Sequence, residues 1–343
     1  MLHCEHGGMN ESMAELYVRT NDKRWLALAQ RIRHKRTLGP MFAEKDELPN
    51  IHANTQIPKV IGLARLFEIT SKPEYSTAAN FFWKNVTAKY SYVIGGNSDR
   101  EYFQAPNTIS KHITEQTCES CNTYNMLKLT RHLYSWDTQS AFFDYYERAH
   151  LNHMMAHQNP KSGMFAYMIP LMSGTARNFS NEFDDFWCCV GSGIESHSKH
   201  GESVWWHSGH HLIVNLFIPS TLDWKERDAK FELSTAYPLG DEVKISVVHI
   251  GKNSEFPVSV RIPYWCEDPS LSINGKGTKL VREGGYATIK RKWKNGDVVA
   301  LKLPMKLRIE PTNDDPNTIA LLYGPTVMAA DLGDAKAKFD GVA

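Results

Sequence analysis

Apolar residues recur at helical spacing through the first two thirds of the chain and alternate in the last third. Asn10 to Arg19 carries Met13, Leu16 and Tyr17 on one face. Asp22 is placed to cap a second helix, in which Trp25, Leu26, Ala29 and Ile32 keep the same period. Gln56 to Ile69 repeats the pattern with Ile57, Val60, Ile61, Ala64 and Phe67. Pro73 opens the next helix, which runs through Phe81 and Trp83, because the fixed φ of proline suits a first turn. Thr123 to Tyr134 and Ser140 to His157 form a third pair, and Gly193 to Trp206 reads as one more helix.

The pairs resemble one another. Leu16 precedes Trp25 by nine residues across a polar turn, as Leu66 precedes Tyr75 and Leu133 precedes Phe142. Repeated helical hairpins predict a solenoid or an α/α toroid. Long inserts, Ser91 to Thr114 and Asn159 to Val190, interrupt them, and inserts of that length more often carry function than connect elements.

Beyond Trp206 the pattern changes. Leu212 to Ile218, Glu242 to Ile250, Val258 to Ile262, Tyr286 to Lys290, Val298 to Leu303 and Ile319 to Tyr323 alternate or run in β-branched residues. Turn pairs such as Asn274-Gly275 and Asn295-Gly296 lie between them. Short strands at this spacing predict an antiparallel β-sandwich. The expected fold is therefore α+β and multidomain: a partial (α/α)6 toroid over residues 1–207, then a β-sandwich over 208–343.

Composition narrows the function. At 343 residues, 42% hydrophobic and 22% charged, the chain has the balance of a packed globular protein. A net charge of +1 gives no global attraction to nucleic acid, and no apolar run is long enough to predict a membrane span. The basic run Lys290, Arg291, Lys292, Lys294 ends in a turn signal and reads as a solvated hairpin edge. Met1 to Gly7 lacks the features of a signal peptide. Nine Trp fit either stacking on sugar rings or a large core.

The chemistry lies in the cysteines. Six are too few for a disulfide scaffold, but Cys118 and Cys121 form a C-x-x-C and Cys188 and Cys189 are adjacent, while Cys4 and Cys266 stand alone. Four thiols from two segments fit a tetrahedral zinc site, either closed and structural or mixed with the carboxylate of Glu119; buried unlinked cysteines and a disulfide remain the alternatives. If both Cys188 and Cys189 ligate, a strained local turn is expected. Glu101 follows the Gly-rich stretch Gly95-Gly96-Asn97-Ser98 and is a candidate general acid/base, or else a plain loop residue. His52 opens the helix at Gln56, either facing a cavity or capping it. Gly7 to Glu11 reads as capping, and His153 with His157 lacks the glutamate of a zinc-protease motif.

Taken in order, Glu5 to Glu11, His52 to Lys59, Gly95 to Ser98 with Glu101, Thr117 to Thr130 and Phe186 to Cys189 resemble the β-L-arabinofuranosidase group, glycoside hydrolase families 127 and 146, with helices nearer to 146. The resemblance runs from residue 5 to about 330. It implies an (α/α)6 barrel followed by β-sandwich domains, and a retaining exo-hydrolase for terminal β-L-arabinofuranosides of plant glycans. It further implies Zn2+ held by Glu119, Cys121, Cys188 and Cys189, with Cys188 as nucleophile, Glu101 as acid/base and His52 lining the sugar pocket. Cys118 falls outside this quartet as a structural neighbour. Glu119 and Cys121 are expected in the turn before the helix of Tyr124 to Leu129, because residues two apart do not share a helix face.

Family members are longer. Three hairpins where six close a toroid imply a chain truncated at its N-terminus. Its open barrel face is then expected to self-associate. The resemblance leaves the compartment open among bacterial periplasmic, extracellular and cytoplasmic. Competing expectations are a carboxylate glycosidase or lyase using Glu101 with Asp184 or Asp185, and a non-catalytic carbohydrate-binding protein with a structural zinc.

Overall fold

The computed structural model describes residues 7–331 and 333. The reading of Met1 to His6 as no signal peptide, together with Cys4, Glu5 and His6, lies outside the described residues.

The helical part contains α1 (Met9–Thr20), α2 (Lys23–Arg31), α3 (Lys35–Phe42), α4 (Ala53–Thr70), α5 (Pro73–Lys89), α6 (Ser120–Trp136), α7 (Ser140–Ala149) and α8 (Cys188–His197). Asp22 caps α2 by accepting from the Arg24 N–H at 2.9 Å, and Pro73 stands in the first turn of α5, as the sequence predicts. Helix α3 went unpredicted, because Gly39 and Pro40 obscure its period. Helix α7 runs on as a single π-helical turn, His150–Met154.

Helix α4 packs on α1, α5 and α6, and α6 in turn on α7 and α8. The amino ends of α4, α6 and α8 all carry residues of the cluster described below. A buried bond from Trp83 Nε1 to Thr130 Oγ1 at 2.8 Å fixes α5 against α6. The two long inserts form the loops and isolated bridges that run over these helix ends.

The helix expected over Gly193 to Trp206 is displaced. It begins at Cys188 and ends at His197, and Trp205–Ser208 is a strand. Trp205 and Trp206 pair with Val214 and Ile213, so a hairpin claims the last two residues of the expected helix.

The strands are β1 (Trp205–Ser208), β2 (His211–Val214), β3 (Ser220–Trp224), β4 (Ala229–Thr235), β5 (Glu242–Ile250), β6 (Glu255–Arg261) and β7 (Ser270–Ile273). They continue as β8 (Lys276–Thr278), β9 (Arg282–Glu283), β10 (Tyr286–Lys292), β11 (Val298–Lys302), β12 (Leu307–Pro311), β13 (Ile319–Tyr323) and β14 (Thr326–Val327). One sheet has the order β1-β2-β6-β10-β9 and a second β3-β4-β5-β11-β7-β8. Their inner faces share a core in which Phe231, Val258, Val260, Ile245 and Leu301 are buried and Phe231 meets Phe256 edge to face. The pairing is antiparallel except between β2 and β6. A third, separate sheet, β12-β13-β14, lies against the helical part, where Ser110 N and Oγ bond to Asp314 and Asn152 bonds to Pro325 O and Val327 N. No described helix is long and apolar enough to cross a membrane.

Candidate active site

The loop from Gly95 to Glu101 is held in an uncommon conformation. Ser98, Arg100 and Glu101 all have positive φ, a region that residues with a Cβ seldom occupy. Gly95 and Gly96 allow it to sit close: a Cβ on Gly95 would fall 2.6 Å from that of Ala149, and one on Gly96 2.6 Å from His153 Nδ1. Backbone bonds then fasten the loop at both ends of its turn. Cys118 N donates to Ser98 O at 3.1 Å, Arg100 N to Gln116 O at 2.9 Å, and Ala53 N to Glu101 O at 2.8 Å. Glu101 is thereby carried to the start of α4, where His52 is the capping residue.

Of the two roles the sequence left open for His52, the structure shows the cap, and it also places the ring beside Glu101. Its Nδ1 accepts from the Thr55 N–H at 3.4 Å, and its Nε2 stands 3.7 Å from Glu101 Oε2.

Glu119 is the N-cap residue of α6, and Cys121 lies within the first turn of that helix rather than before it. Glu119 reaches the cluster from outside the helical repeat, so the two side chains meet despite their spacing. Cys118, one residue earlier, has φ +60° and is wholly buried away from the cluster, against Gly96.

Cys188 and Cys189 open α8, and no strained turn is needed. Cys189 points into the protein and Cys188 toward solvent, with the ligand atoms of Glu119 and Cys121 in reach of both. The four ligand atoms lie within 4.8 Å of one another. Cys121 Sγ is 3.3 Å from Cys189 Sγ, Cys188 Sγ is 3.9 Å from Cys189 Sγ and 3.8 Å from Glu119 Oε1. A tetrahedral zinc with ordinary bond lengths holds sulfurs about 3.8 Å apart, so the observed separations bracket what such an ion requires.

The electrostatics point the same way. Glu119 is fully buried and its Oε2 has no hydrogen-bond partner. Burial first, then the negative charge of Cys188 and Glu101, pushes its carboxyl up to about 9. Cys188 moves in the opposite direction. Hydrogen bonds from Cys121 and Cys189 hold it well below the usual thiol range. Cys121 is raised by its bonds to Cys188 and Cys189 and by burial. In Cys189 the bond with Cys121 favours the thiolate, but Cys188 and burial outweigh it and the thiol is raised. One thiolate, two thiols and a buried acid around a common centre form a donor set suited to a divalent cation.

Tyr167 has no signal in the sequence, because it sits in the long insert with no motif around it. Its hydroxyl donates to Glu101 Oε1 and lies 3.9 Å from Cys188 Sγ, and its ring meets Trp187 edge to face. Of the alternative carboxylates Asp184 is exposed, and Asp185 is half-buried and accepts from the N–H and side chain of Asn181. His153 is buried and bonds to Thr123, and Glu11 pairs with Lys128, so neither joins the cluster. Cys266 lies in the strand region. A cavity of about 280 Å³ opens farther along α6 and α8, lined by Tyr124, Arg131, His132, Lys199 and Trp206. None of the cluster residues lines it.

Comparison with known proteins gives a consistent result. Residues 1–202 match the profile described as the beta-L-arabinofuranosidase, GH127 catalytic domain, and residues 211–305 match the GH127 middle domain. The solved structure of a GH127 beta-L-arabinofuranosidase from Geobacillus stearothermophilus is 21% identical with a TM-score of 0.76, over 93% of this chain and 57% of that one. A GH127 beta-arabinofuranosidase is 23% identical with a TM-score of 0.80, over 93% of this chain and 55% of that one. A third structure, described as a glycoside hydrolase, is 18% identical with a TM-score of 0.80, over 93% and 59%. The fold is thus shared, while this chain spans somewhat more than half the length of these structures. No curated protein sequence matches it.

Proposed function

The chain belongs to the β-L-arabinofuranosidase family, glycoside hydrolase family 127, and from that premise we propose that it is a retaining exo-glycosidase that releases terminal β-L-arabinofuranosyl residues from plant glycans. The observation that carries the reading is the convergence of Glu119, Cys121, Cys188 and Cys189 within 4.8 Å, next to Glu101. In this reading the helical part up to about residue 204 is the catalytic part and the two packed sheets that begin at Trp205 are the β-sandwich part, so the boundary expected at 207/208 moves to the start of β1.

Glu119, Cys121, Cys188 and Cys189 would hold Zn2+. A bound zinc ion supplies positive charge that keeps its thiolate ligands deprotonated at neutral pH. The remaining chemistry belongs to the side chains.

Cys188 is the exposed member of the quartet and the one whose thiolate its neighbours favour, so it is the nucleophile. Its sulfur attacks the anomeric carbon, the C–S bond forms and the glycosidic C–O bond breaks. Glu101, protonated, gives its proton to the departing oxygen. In the second step Glu101 takes a proton from water, the water oxygen bonds the anomeric carbon, and Cys188 leaves as thiolate. Two displacements on one carbon retain its configuration, as in carboxylate enzymes of the retaining type.

Tyr167 occupies one oxygen of Glu101 and leaves the other toward His52 and the substrate. His52, half-buried at the start of α4, would contact the sugar hydroxyls. Orientation of this kind is worth several kcal/mol of barrier.

The test is zinc stoichiometry of the purified chain together with arabinose release from p-nitrophenyl β-L-arabinofuranoside. One zinc per chain, with turnover that Cys188→Ser abolishes, is expected. Absence of zinc, or hydrolysis that survives Cys188→Ser, would overturn the reading.

A further inference from the structure

Glu119 belongs to two clusters. Its Oε1 lies 3.8 Å from Cys188 Sγ, on the side of the thiols. Its carboxylate also stands with His52 and Glu101, and one ligand atom from each of these residues lies within 4.8 Å of the others. His52 Nε2 and Glu101 Oε2 are 3.7 Å apart. A divalent cation about 2.1 Å from each oxygen or nitrogen ligand sets such atoms about 3–4 Å apart, so a small closing movement completes the fit.

The bonding around this trio leaves the needed lone pairs open. Glu119 is fully buried and its Oε2 makes no hydrogen bond. A buried carboxylate oxygen without a donor is costly and calls for a cation or a proton. Tyr167 takes Glu101 Oε1, so Oε2 is the oxygen that faces His52. Among the described residues neither carboxylate pairs with a lysine or arginine, and Arg100, next to Glu101 in the chain, turns instead to Asp99 and Glu115. To present the Nε2 lone pair, His52 must carry its ring proton on Nδ1 and give up the cap bond from the Thr55 N–H. That bond is 3.4 Å long, so little is lost.

We infer that His52, Glu101 and Glu119 form a second divalent-cation site, with Glu119 bridging to the thiol cluster by one oxygen on each side. The two donor sets sort metals. Three thiolates and a carboxylate favour Zn2+, whereas two carboxylates and an imidazole also accept a harder ion such as Mn2+. His52 and Glu101 are half-buried, so the ion reaches them from solvent. Three protein ligands leave further positions to water, and the site is the weaker of the two. An ion held there keeps Glu101 as its carboxylate and blocks proton donation to a leaving group. That consequence rests on the proposed activity; the binding itself does not.

The experiment loads the full chain with Zn2+, removes the excess and titrates Mn2+, reading free Mn2+ from its electron paramagnetic resonance signal. One bound Mn2+ per chain with a Kd below about 1 mM is expected. Glu101→Gln and, separately, His52→Asn, which still caps α4, should each weaken it at least about 10-fold, because each removes one of the three ligands. The circular-dichroism melt of each variant should stay close to that of the parent. A chain that binds no Mn2+ at about 1 mM would overturn the inference. So would Mn2+ binding that both well-folded variants leave unchanged. A chain that holds no zinc, yet binds Mn2+ with this dependence on His52 and Glu101, would uphold the second site and overturn the proposed function.

Discussion

Asn122 Nδ2 donates to Ser98 Oγ at 2.9 Å across twenty-four residues of chain, and also to Asn97 Oδ1 at 3.1 Å. These bonds join the first turn of α6, which carries Cys121, to the positive-φ loop that carries Glu101. Asn122→Ala would leave Ser98 and Asn97 buried with a lost partner, at a cost of about 1–3 kcal/mol. The acid/base should drift while the sulfur cluster stays. We expect kcat to fall about 10- to 100-fold, with KM and zinc content nearly unchanged. The loss should be smaller for a substrate with an acidic leaving group such as p-nitrophenol, which needs less proton donation. Equal losses on good and poor leaving groups would contradict this role.

Tyr167→Phe removes one oxygen and keeps the ring against Trp187. Glu101 then loses the donor that fixes its Oε1, and Cys188 loses a hydroxyl 3.9 Å away. Activity should drop about 10-fold or more, since orientation to within an ångström carries much of the rate. The fold should be unaffected, as judged by the melting temperature. Wild-type kcat in Tyr167→Phe would show that the hydroxyl is incidental.

Zinc binding should release protons in a number the cluster fixes. Glu119, Cys121 and Cys189 are all pushed up and hold their protons at pH 7, whereas Cys188 is already ionised. Loading the site should therefore expel about three protons, and apparent affinity should rise steeply with pH. Isothermal titration of the metal-free chain in buffers of different ionisation enthalpy reads this count directly. A count near zero would mean that the donors are already deprotonated, or that zinc binds elsewhere.

Much of this was legible in the sequence. The 3.6-residue period set out α1, α2 and α4 to α7, and Glu242 to Ile250 and Ile319 to Tyr323 read as strands with the same limits they have in the structure. What was missed has local reasons. Helix α3 contains Gly39 and Pro40, and α8 starts at Cys188 because Trp187 supplies an extended cap that no Ser, Thr or Asp announces. The cysteine pairs stood out because cysteine is rare, but spacing offered Cys118 as readily as Glu119; the set Glu119, Cys121, Cys188 and Cys189 came from the resemblance, and these are the four side chains that the fold brings together. Tyr167 and Asn122 were not singled out, since their roles depend on loops brought together from positions 24 to 66 residues apart.

Acid should loosen the helical part before it touches the sheets. His150 and His153 are buried, and burial holds both imidazoles down at about 3. A neighbouring His200, 2.8 Å from His150, and His157 beside His153 add to the effect. The unfolded chain takes up these protons near pH 6.5, and the folded chain does not until about pH 3. Their contribution is thus present above pH 6.5 and is lost as pH falls toward 3. At about 1.4 kcal/mol per unit, a few kcal/mol are at stake. The melting temperature should fall between pH 6.5 and 4, and His150→Phe should flatten that slope. A slope unchanged in His150→Phe would remove this residue from the account.

A buried tie between the helices and the sheets is Arg261, the last residue of β6. Its Nη1 donates to Asp144 Oδ1 at 2.8 Å, its Nη2 to Glu147 Oε1 at 2.5 Å and its Nε to Asn215 O at 2.7 Å. Both acids belong to α7. Arg261→Met leaves two carboxylates buried without their cation, which should cost about 3–5 kcal/mol. Adding Asp144→Asn and Glu147→Gln removes the stranded charges and should recover much of that loss, so the energies will be far from additive. The consequence should reach the candidate active site, because Tyr145 on the same helix donates to Gly95 O at 3.0 Å in the loop of Glu101. Urea unfolding of the single and triple variants measures the first effect, and kcat of the folded fraction measures the second. If the triple variant regains stability but not kcat, the ion pairs orient α7 beneath that loop; if it regains both, they serve stability alone.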